Sequence, residues 1–355
     1  MTRPQVAVVT SGFPRRSETF ALNELLALEA ASMLRGIFAT KPGDPGPAQP
    51  DARRLLDLVE VLPPGTTDEQ AAEVARRAPE VDAVHAYFAH TPAAVAERAA
   101  GLLGVPFGFS VHAKDARKVG AAELGARLSA ATCVIACNPD VAADLAGLGG
   151  HADLIPHGVD LQRFSSLPPP PGSLRLLAVG RLVAKKGFDV LIEAASLLRV
   201  PFSLRIVGDG PERDRLTAAV TRAGLGDRAQ LVGPLTHAEL PAEYAAAHVV
   251  VVPSVEDEEG DRDGLPNVVL EALASARVVV ASDIAAIGSA VHDGGTGLLV
   301  PPGDPAALSQ AIATLAADPA RRERLGRAGR QLAEARFELD RCAAGFVRRL
   351  ELAYG

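Results

Sequence analysis

Two carboxylates and two cations in the second half of the chain are spaced to handle a phosphorylated, polyhydroxylated ligand. The apolar run Val249–Val252 empties into an acidic stretch that ends in Asp263–Gly264–Leu265–Pro266. Pro266 suits the first position of a helix, and Gly264 lets another group come close to the backbone. The free N–H groups at such a helix start favour an anion such as a phosphate. Asp263 precedes the helix and Glu271 lies a little over one turn into it, so both carboxylates can face one cleft. An ionised carboxylate accepts from two hydroxyls at once, which suits a polyol. A second cluster, Gly180–Arg181 through Lys185–Lys186–Gly187–Phe188, follows the apolar run Leu174–Val179. Arg181 and Lys186 can clamp a diphosphate, the arginine as a planar fork and the lysine as a point charge. Each segment also has a plainer reading, as a solvated acidic loop before a capped helix and as an exposed basic turn.

Other candidates carry less. Gly208–Asp209–Gly210–Pro211 holds a Gly-x-Gly but lacks the third glycine of a dinucleotide fingerprint, and a tight turn at a strand end explains it. His112 directly follows the apolar run Phe107–Val111, and His85 and His90 flank another. Taken alone, each is read as structural. Three cysteines, Cys133, Cys137 and Cys342, are an odd number at uninformative spacing, and the first two are read as a pair of reduced, buried thiols because no second Cys/His pair at zinc-like spacing accompanies them.

The elements that must position these residues alternate along the whole chain. Val6–Thr10, Ala83–Tyr87, Phe107–Val111 and Cys133–Ala136 read as buried parallel strands. Thr19–Ala31, Asp68–Arg77, Ala93–Leu103 and Ala121–Ala130 between them have helical spacing. The pattern predicts an α/β fold with a doubly wound parallel sheet. The four prolines of Pro168–Pro171 fix φ and remove backbone donors, so a stiff linker and a domain boundary are expected there, giving domains 1–167 and 168–337. Beyond it the strands restart at Leu174–Val179, Leu204–Val207, Ala229–Leu231, Val249–Val252, Val278–Ser282 and Leu298–Val300. The tail from Pro319 to Tyr354 reads as helical, with Asp318 as its cap. Two such domains facing one another would set two ligands across a central cleft.

Composition narrows the class. With 355 residues the chain is long enough for two cores, and 48% hydrophobic against 22% charged residues is the balance of a globular protein. A net charge of −7 argues against nucleic acid as a partner. No apolar run reaches the roughly 18 residues that span a bilayer, and no leader precedes the first strand, so a cytoplasmic location is expected. The pairs Arg15/Arg16, Arg53/Arg54 and Arg76/Arg77 leave peripheral contact with the inner membrane face as an option.

Taken in order, the motifs resemble glycosyltransferase family 4, the retaining GT-B enzymes, and among them the bacterial exopolysaccharide and colanic-acid-type transferases. They are Phe13–Pro14 with Ser17–Glu18–Thr19–Phe20, His85–Ala86–Tyr87–Phe88–Ala89, Ser110–Val111–His112–Ala113 and Ile155–Pro156–His157–Gly158–Val159–Asp160. Gly180–Arg181 with Lys185–Lys186–Gly187–Phe188, Gly208–Asp209–Gly210–Pro211, and Gly264–Leu265–Pro266 leading to Glu271–Ala272 complete the set. The resemblance implies two Rossmann-like domains, with the last helix, 338–355, returning to the N-terminal, acceptor-binding one. It implies that Arg181 and Lys186 hold the diphosphate of a UDP- or GDP-sugar, that no metal or other cofactor is required, and that Glu271 binds the ribose. Asp263 takes the first position of the family's Glu-x7-Glu pair, near the transferred sugar, and His112 approaches that sugar from the acceptor domain. Gly12, in the loop to Thr19, and Leu235 are counted with the donor-binding residues.

This chain departs from the family pattern in three places. Asp263 replaces the usual Glu and reaches less far. Ala285–Ala286–Ile287–Gly288–Ser289 stands where the family carries Gly-Gly-Ile-Pro-Glu, and Ala276–Arg277–Val278–Val279 stands for Gly-x-Pro-Val. Asp261-x-Asp263 is also similar to the metal-holding motif of GT-A transferases, which belongs to another architecture. The expected activity is transfer of a hexose-type sugar to a glycan or lipid-linked acceptor in cell-envelope glycan synthesis. The alternatives are an idle sugar-nucleotide-binding or scaffold subunit and a sugar-nucleotide epimerase.

Overall fold

The structure, a computed structural model, describes residues 3–15, 18–45, 50–112 and 118–355. The chain divides into two compact units, Met1–Gly158 with Leu339–Gly355, and Val159–Glu338.

Unit 1 runs β1 (Val6–Thr10), α1 (Thr19–Ala30), β2 (Leu34–Ala39), β3 (Val59–Val61), α2 (Thr67–Arg77) and β4 (Ala83–Tyr87). It continues with α3 (Thr91–Leu103), β5 (Phe107–Val111), α4 (Ala121–Ala130), β6 (Cys133–Ala136), α5 (Pro139–Gly147) and β7 (Asp153–Leu154). The seven strands form one sheet in the order β3-β2-β1-β4-β5-β6-β7, parallel throughout. Every residue of β1, β4, β5 and β6 is buried, as a parallel sheet covered on both faces requires. Strand alternation divides the core: Ala7 and Val9 pack on one face, Val6 and Val8 on the other.

Unit 2 runs β8 (Leu174–Val179), α6 (Phe188–Leu197), β9 (Phe202–Val207), α7 (Arg213–Arg222), β10 (Ala229–Gly233) and α8 (Leu240–Ala246). Then follow β11 (Val249–Val252), α9 (Asn267–Ala274), β12 (Val278–Ser282), β13 (Gly297–Val300), α10 (Pro305–Ala317) and α11 (Pro319–Arg336). Its six-stranded parallel sheet has the order β10-β9-β8-β11-β12-β13. Each unit is thus a Rossmann-like doubly wound sheet.

The division of the chain differs from the expectation of a boundary after Leu167. It falls at Gly158/Val159, because the segment around the prolines is fastened to unit 2. Val159 N–H donates to Phe337 O at 2.7 Å, and Phe164 is buried in the unit 2 core. The buried Arg277 donates to Leu167 O at 3.0 Å and to Tyr244 O at 2.8 Å, while His248 Nε2 donates to Pro170 O at 2.7 Å. The prolines form a strap on unit 2 rather than a free linker.

The tail is helical and runs in two pieces. Phe337 is buried in the unit 2 core and its carbonyl is taken by Val159, so α11 stops there and a new helix, α12 (Leu339–Tyr354), begins. In α12 the spacing of Phe346, Leu350 and Tyr354 makes a stripe that packs into unit 1 beside Leu25, Tyr87 and Cys133. Tyr354 Oη meets His85 Nδ1 at 2.8 Å, and His85 Nε2 meets Ser110 Oγ at 2.9 Å. His85 is therefore a satisfied core residue, and burial pushes its pKa down to about 3.

Gly108 of β5 makes room for α12: a Cβ there would lie 2.1 Å from Tyr354 Oη and 2.5 Å from Cys133 O. Gly108→Ala is expected to lower stability by about 1–3 kcal/mol through overpacking, read as a lower denaturant midpoint at unchanged m-value.

Candidate functional site

In the unit 2 sheet, β8 is flanked by β9 on one side and β11 on the other. The chain direction of winding reverses between β8 and β11, and loops at such a switch point form the binding crevice of this kind of sheet. The loop after β8 carries Gly180 to Gly187, and the loop after β11 carries Pro253 to Pro266. Val255 N–H donates to Lys185 O at 2.8 Å, joining them backbone to backbone. Gly187 sits at φ 61°, and a Cβ there would lie 2.0 Å from Pro253 O. Only glycine satisfies both demands. Gly208, at the end of β9, has the same use: its Cβ would fall 1.8 Å from Gly180 O. The Gly208-x-Gly210 turn is explained by this close crossing of loops.

The crossing brings four predicted or neighbouring charges together. Lys186 Nζ donates to Asp263 Oδ2 at 2.7 Å, and Ser254 Oγ donates to the same oxygen at 2.9 Å. Lys185 Nζ lies 3.2 Å from Asp261 Oδ2 and 3.5 Å from Asp263 Oδ1. Burial would push the Asp263 carboxyl up, but the charge and hydrogen bond of Lys186, with Lys185 and Ser254 behind them, hold it below the usual carboxylate value. The Asp261-x-Asp263 carboxylates, the alternative metal reading, are thus each engaged by an ammonium group. Arg181 stands exposed at the start of the same loop.

Glu271 lies on α9, which begins directly after Pro266. Tyr244 Oη donates to its Oε2 at 2.6 Å, and His237 Nε2 lies 3.7 Å from its Oε1. Arg163 in turn contacts His237 Nδ1 at 2.7 Å. The carboxylate is therefore aimed by side chains from α8 and from the loop before it, the latter contacted by Arg163 of the segment before β8. Sequence spacing did not single out Ser254, Tyr244, His237 or Arg163, since each is a lone polar residue among apolar or mixed neighbours. Gly264 and Pro266 are buried, while Leu265 and Leu235 pack half-buried against the same core.

The departures from the family pattern have a physical form. Ala285 keeps a left-handed backbone, φ 49°, and Ala276, just past α9, does the same at φ 53°. Such a conformation costs an alanine about 1–2 kcal/mol. Ser289, in place of a carboxylate, turns inward and donates to Ala286 O at 2.6 Å.

In unit 1, His112 follows β5 and His157 lies beyond β7. His157 Nε2 and His112 Nδ1 are 3.2 Å apart. Phe20 stacks on His157 with centroids 4.3 Å apart, and Tyr87 stacks on His112 at 5.9 Å. Burial, and then His157 as neighbour, hold His112 well below its usual pKa. Burial also lowers His157 to about 4, so both rings are neutral near pH 7. Beneath them Tyr87 Oη donates to Glu24 Oε2 at 2.7 Å, and burial raises Glu24 to about 7. Gly12 is buried against the loop after β2, where a Cβ would lie 2.8 Å from Pro42 O. Arg16, Ser17 and residues 113–117, among them Ser17 and Ala113 of the motifs, lie outside the described residues, as do 46–49. Of the arginine pairs, Arg15 is bonded to Glu18, Arg54 to Glu29, and Arg76 and Arg77 to Glu73. Among the described residues no helix is long and apolar enough to cross a membrane.

Two substitutions test this geometry. Lys186→Met leaves Asp263 buried without its main counter-charge and is expected to cost roughly 3 kcal/mol. Asp263 has a depressed folded pKa, so the stability it contributes is present above its unfolded value of about 3.9 and is lost as pH falls through the folded one. In Lys186→Met that loss should move to higher pH, seen as an earlier acid transition by circular dichroism. Ala285→Gly should raise stability by about 0.5–1 kcal/mol, the relieved backbone outweighing the added freedom of the unfolded chain.

The chain matches family models in both halves: Glycosyltransferase Family 4 over residues 5–163 and Glycosyl transferases group 1 over residues 173–318. It is 34% identical over 173 residues to alpha-D-kanosaminyltransferase of Streptomyces kanamyceticus, covering 48% of this chain and 43% of that one. It is 37% identical over 161 residues to WcaL of Escherichia coli K12, provisionally named a colanic acid biosynthesis glycosyltransferase, covering 44% of this chain and 40% of that one. The chain therefore aligns with less than half the length of these two relatives. In fold it is similar to HepE of Anabaena, crystallised with UDP, at TM-score 0.84 and 19% identity, over 98% of this chain and 100% of the other. The architecture of that similarity is GT-B, and the two matched halves together make the chain a member of glycosyltransferase family 4.

Proposed function

We propose that the chain is a retaining glycosyltransferase that moves a hexose-type sugar from a UDP- or GDP-sugar to a glycan or lipid-linked acceptor. The observation that carries this reading is the pairing of two pre-aimed carboxylates at one switch point, Asp263 gripped by Lys186 and Glu271 by Tyr244. A polyol and a diphosphate suit that arrangement better than a flat cofactor does. Relatives in the family support it by their names, and HepE was crystallised with UDP-glucose.

In this reading Arg181 and Lys186 take the donor diphosphate, and Lys186 keeps two N–H bonds for it while the third holds Asp263. The N-terminal N–H groups of α9 add to that positive field. Glu271 accepts from the ribose hydroxyls, and Asp263 and His112 bind hydroxyls of the sugar. The bond from the anomeric carbon to the phosphate oxygen breaks as the acceptor oxygen attacks the same face. The leaving phosphate takes the acceptor proton, and the two cations stabilise the negative charge that develops. No protein nucleophile and no metal is required. The Ala285–Ser289 stretch favours a second reading, in which the sugar nucleotide is bound without transfer.

The purified chain, incubated with a panel of UDP- and GDP-sugars without added metal, should hydrolyse its donor slowly. Lys186→Ala should lower kcat by about 100-fold or more, and Glu271→Gln should act chiefly on KM. Absence of both binding and turnover across the panel would sink the proposal, and binding without hydrolysis or transfer would favour the second reading.

A further inference from the structure

At the carboxyl edge of the unit 1 sheet, three neighbouring strands each deliver a side chain capable of binding a metal. His112 follows β5, Cys137 follows β6, and His157 lies beyond β7. Their candidate ligand atoms all lie within 4.8 Å of one another. His112 Nδ1 and His157 Nε2 are 3.2 Å apart. Two nitrogens bound to one tetrahedral zinc at about 2.0–2.1 Å would be separated by roughly 3.3 Å. A hydrogen bond between the imidazoles accounts for that one contact, but not for a thiol brought in from the strand between them.

The surroundings match a ligand set held in place. Phe20 and Tyr87 stack on the two imidazoles and fix their planes. Asn138 Nδ2 donates to Cys137 Sγ at 3.2 Å, and Asn138 is itself fixed because its Oδ1 caps α5 at Val141 N. Hydrogen bonds of this outer kind orient metal ligands. All three ligands lie on the segments that follow neighbouring strands of one sheet.

We propose that His112, Cys137 and His157 form a site for a divalent transition metal of the zinc type, bound by two imidazole nitrogens and one thiolate with the fourth position open. The nitrogen and sulfur donors select zinc or cobalt over magnesium or calcium, which seek oxygen. Binding releases the Cys137 thiol proton, so affinity rises with pH. Occupation also takes a lone pair of His112, so zinc would inhibit sugar transfer. That consequence alone rests on the function proposed above.

Titration of the full chain with Co²⁺ tests the site directly. One equivalent per chain is expected to bind, with a thiolate-to-cobalt charge-transfer band in the near ultraviolet and visible bands of a tetrahedral ion, both abolished by Zn²⁺. Cys137→Ser should lose the charge-transfer band, His157→Asn should weaken binding about tenfold or more, and Cys342→Ser should change neither. Absence of the bands in a chain shown folded by circular dichroism would overturn the proposal, as would a charge-transfer band that survives in Cys137→Ser. Donor hydrolysis is measured separately on metal-free protein, so failure of the metal site and failure of the transferase reading give different results.

Discussion

The loops after β8 and β11 touch backbone to backbone, and the charged cluster of the unit 2 site depends on how closely they can do so. Val255 N–H reaches Lys185 O, and Gly187 lies so near Pro253 O that no side chain fits between them. A larger residue at 187 would also have to adopt a left-handed backbone. With the loops pinned at this distance, Lys186 and Asp263 have little choice but to pair, though they are far apart in sequence. The ion pair is therefore a product of backbone packing, and its lysine is already positioned before any ligand arrives. Preorganised charge of that kind needs no rearrangement when negative charge develops beside it.

Glu271 is fixed by a different means. Its helix begins at the end of the same acidic loop, but its carboxylate is aimed by Tyr244 from α8 and by the chain of His237 and Arg163. Two carboxylates with separate supports can be tuned separately. The substitution of Asp for Glu at 263 therefore changes reach on one side of the site while the grip on the other is untouched. The alanines at 276 and 285 point the same way. They hold backbone shapes that glycine adopts without strain, so the path of the chain is retained although the residue is not.

Much of this was legible in the sequence where strands are buried on both faces. β1, β4, β5, β6, β8, β11 and β12 are mainly apolar runs, interrupted only by residues such as His85, Ser110 and Arg175, and their ends place Arg181, Lys186, Asp263 and His112 on loops. β3 and β7 are too short to show a period, and β2 carries Arg35 and Gly36 within its run, which hid it. The proline run looked like a linker because proline lacks donors. What holds it is acceptors: its carbonyls are taken by Arg277 and His248, and no local pattern announces a partner so distant in sequence. The grouping of Cys137 with two histidines was invisible for the same reason. Spacing rules for cysteine find ligands on one hairpin, whereas here three adjacent parallel strands, separated by helices, bring them together.

Unit 1 is assembled from two separated stretches, with the whole of unit 2 between them. During synthesis, unit 2 is a continuous segment and can fold as it emerges. Unit 1 must wait: the groove that takes Phe346, Leu350 and Tyr354 stays open, and His85 lacks its tyrosine partner, until α12 has left the ribosome. The nascent chain thus carries an uncovered apolar face for the time needed to translate some 180 further residues, from Val159 to Glu338. That interval makes unit 1 the part of the molecule that chaperones would meet, and makes a messenger truncated before α12 a source of aggregating product rather than of a smaller enzyme.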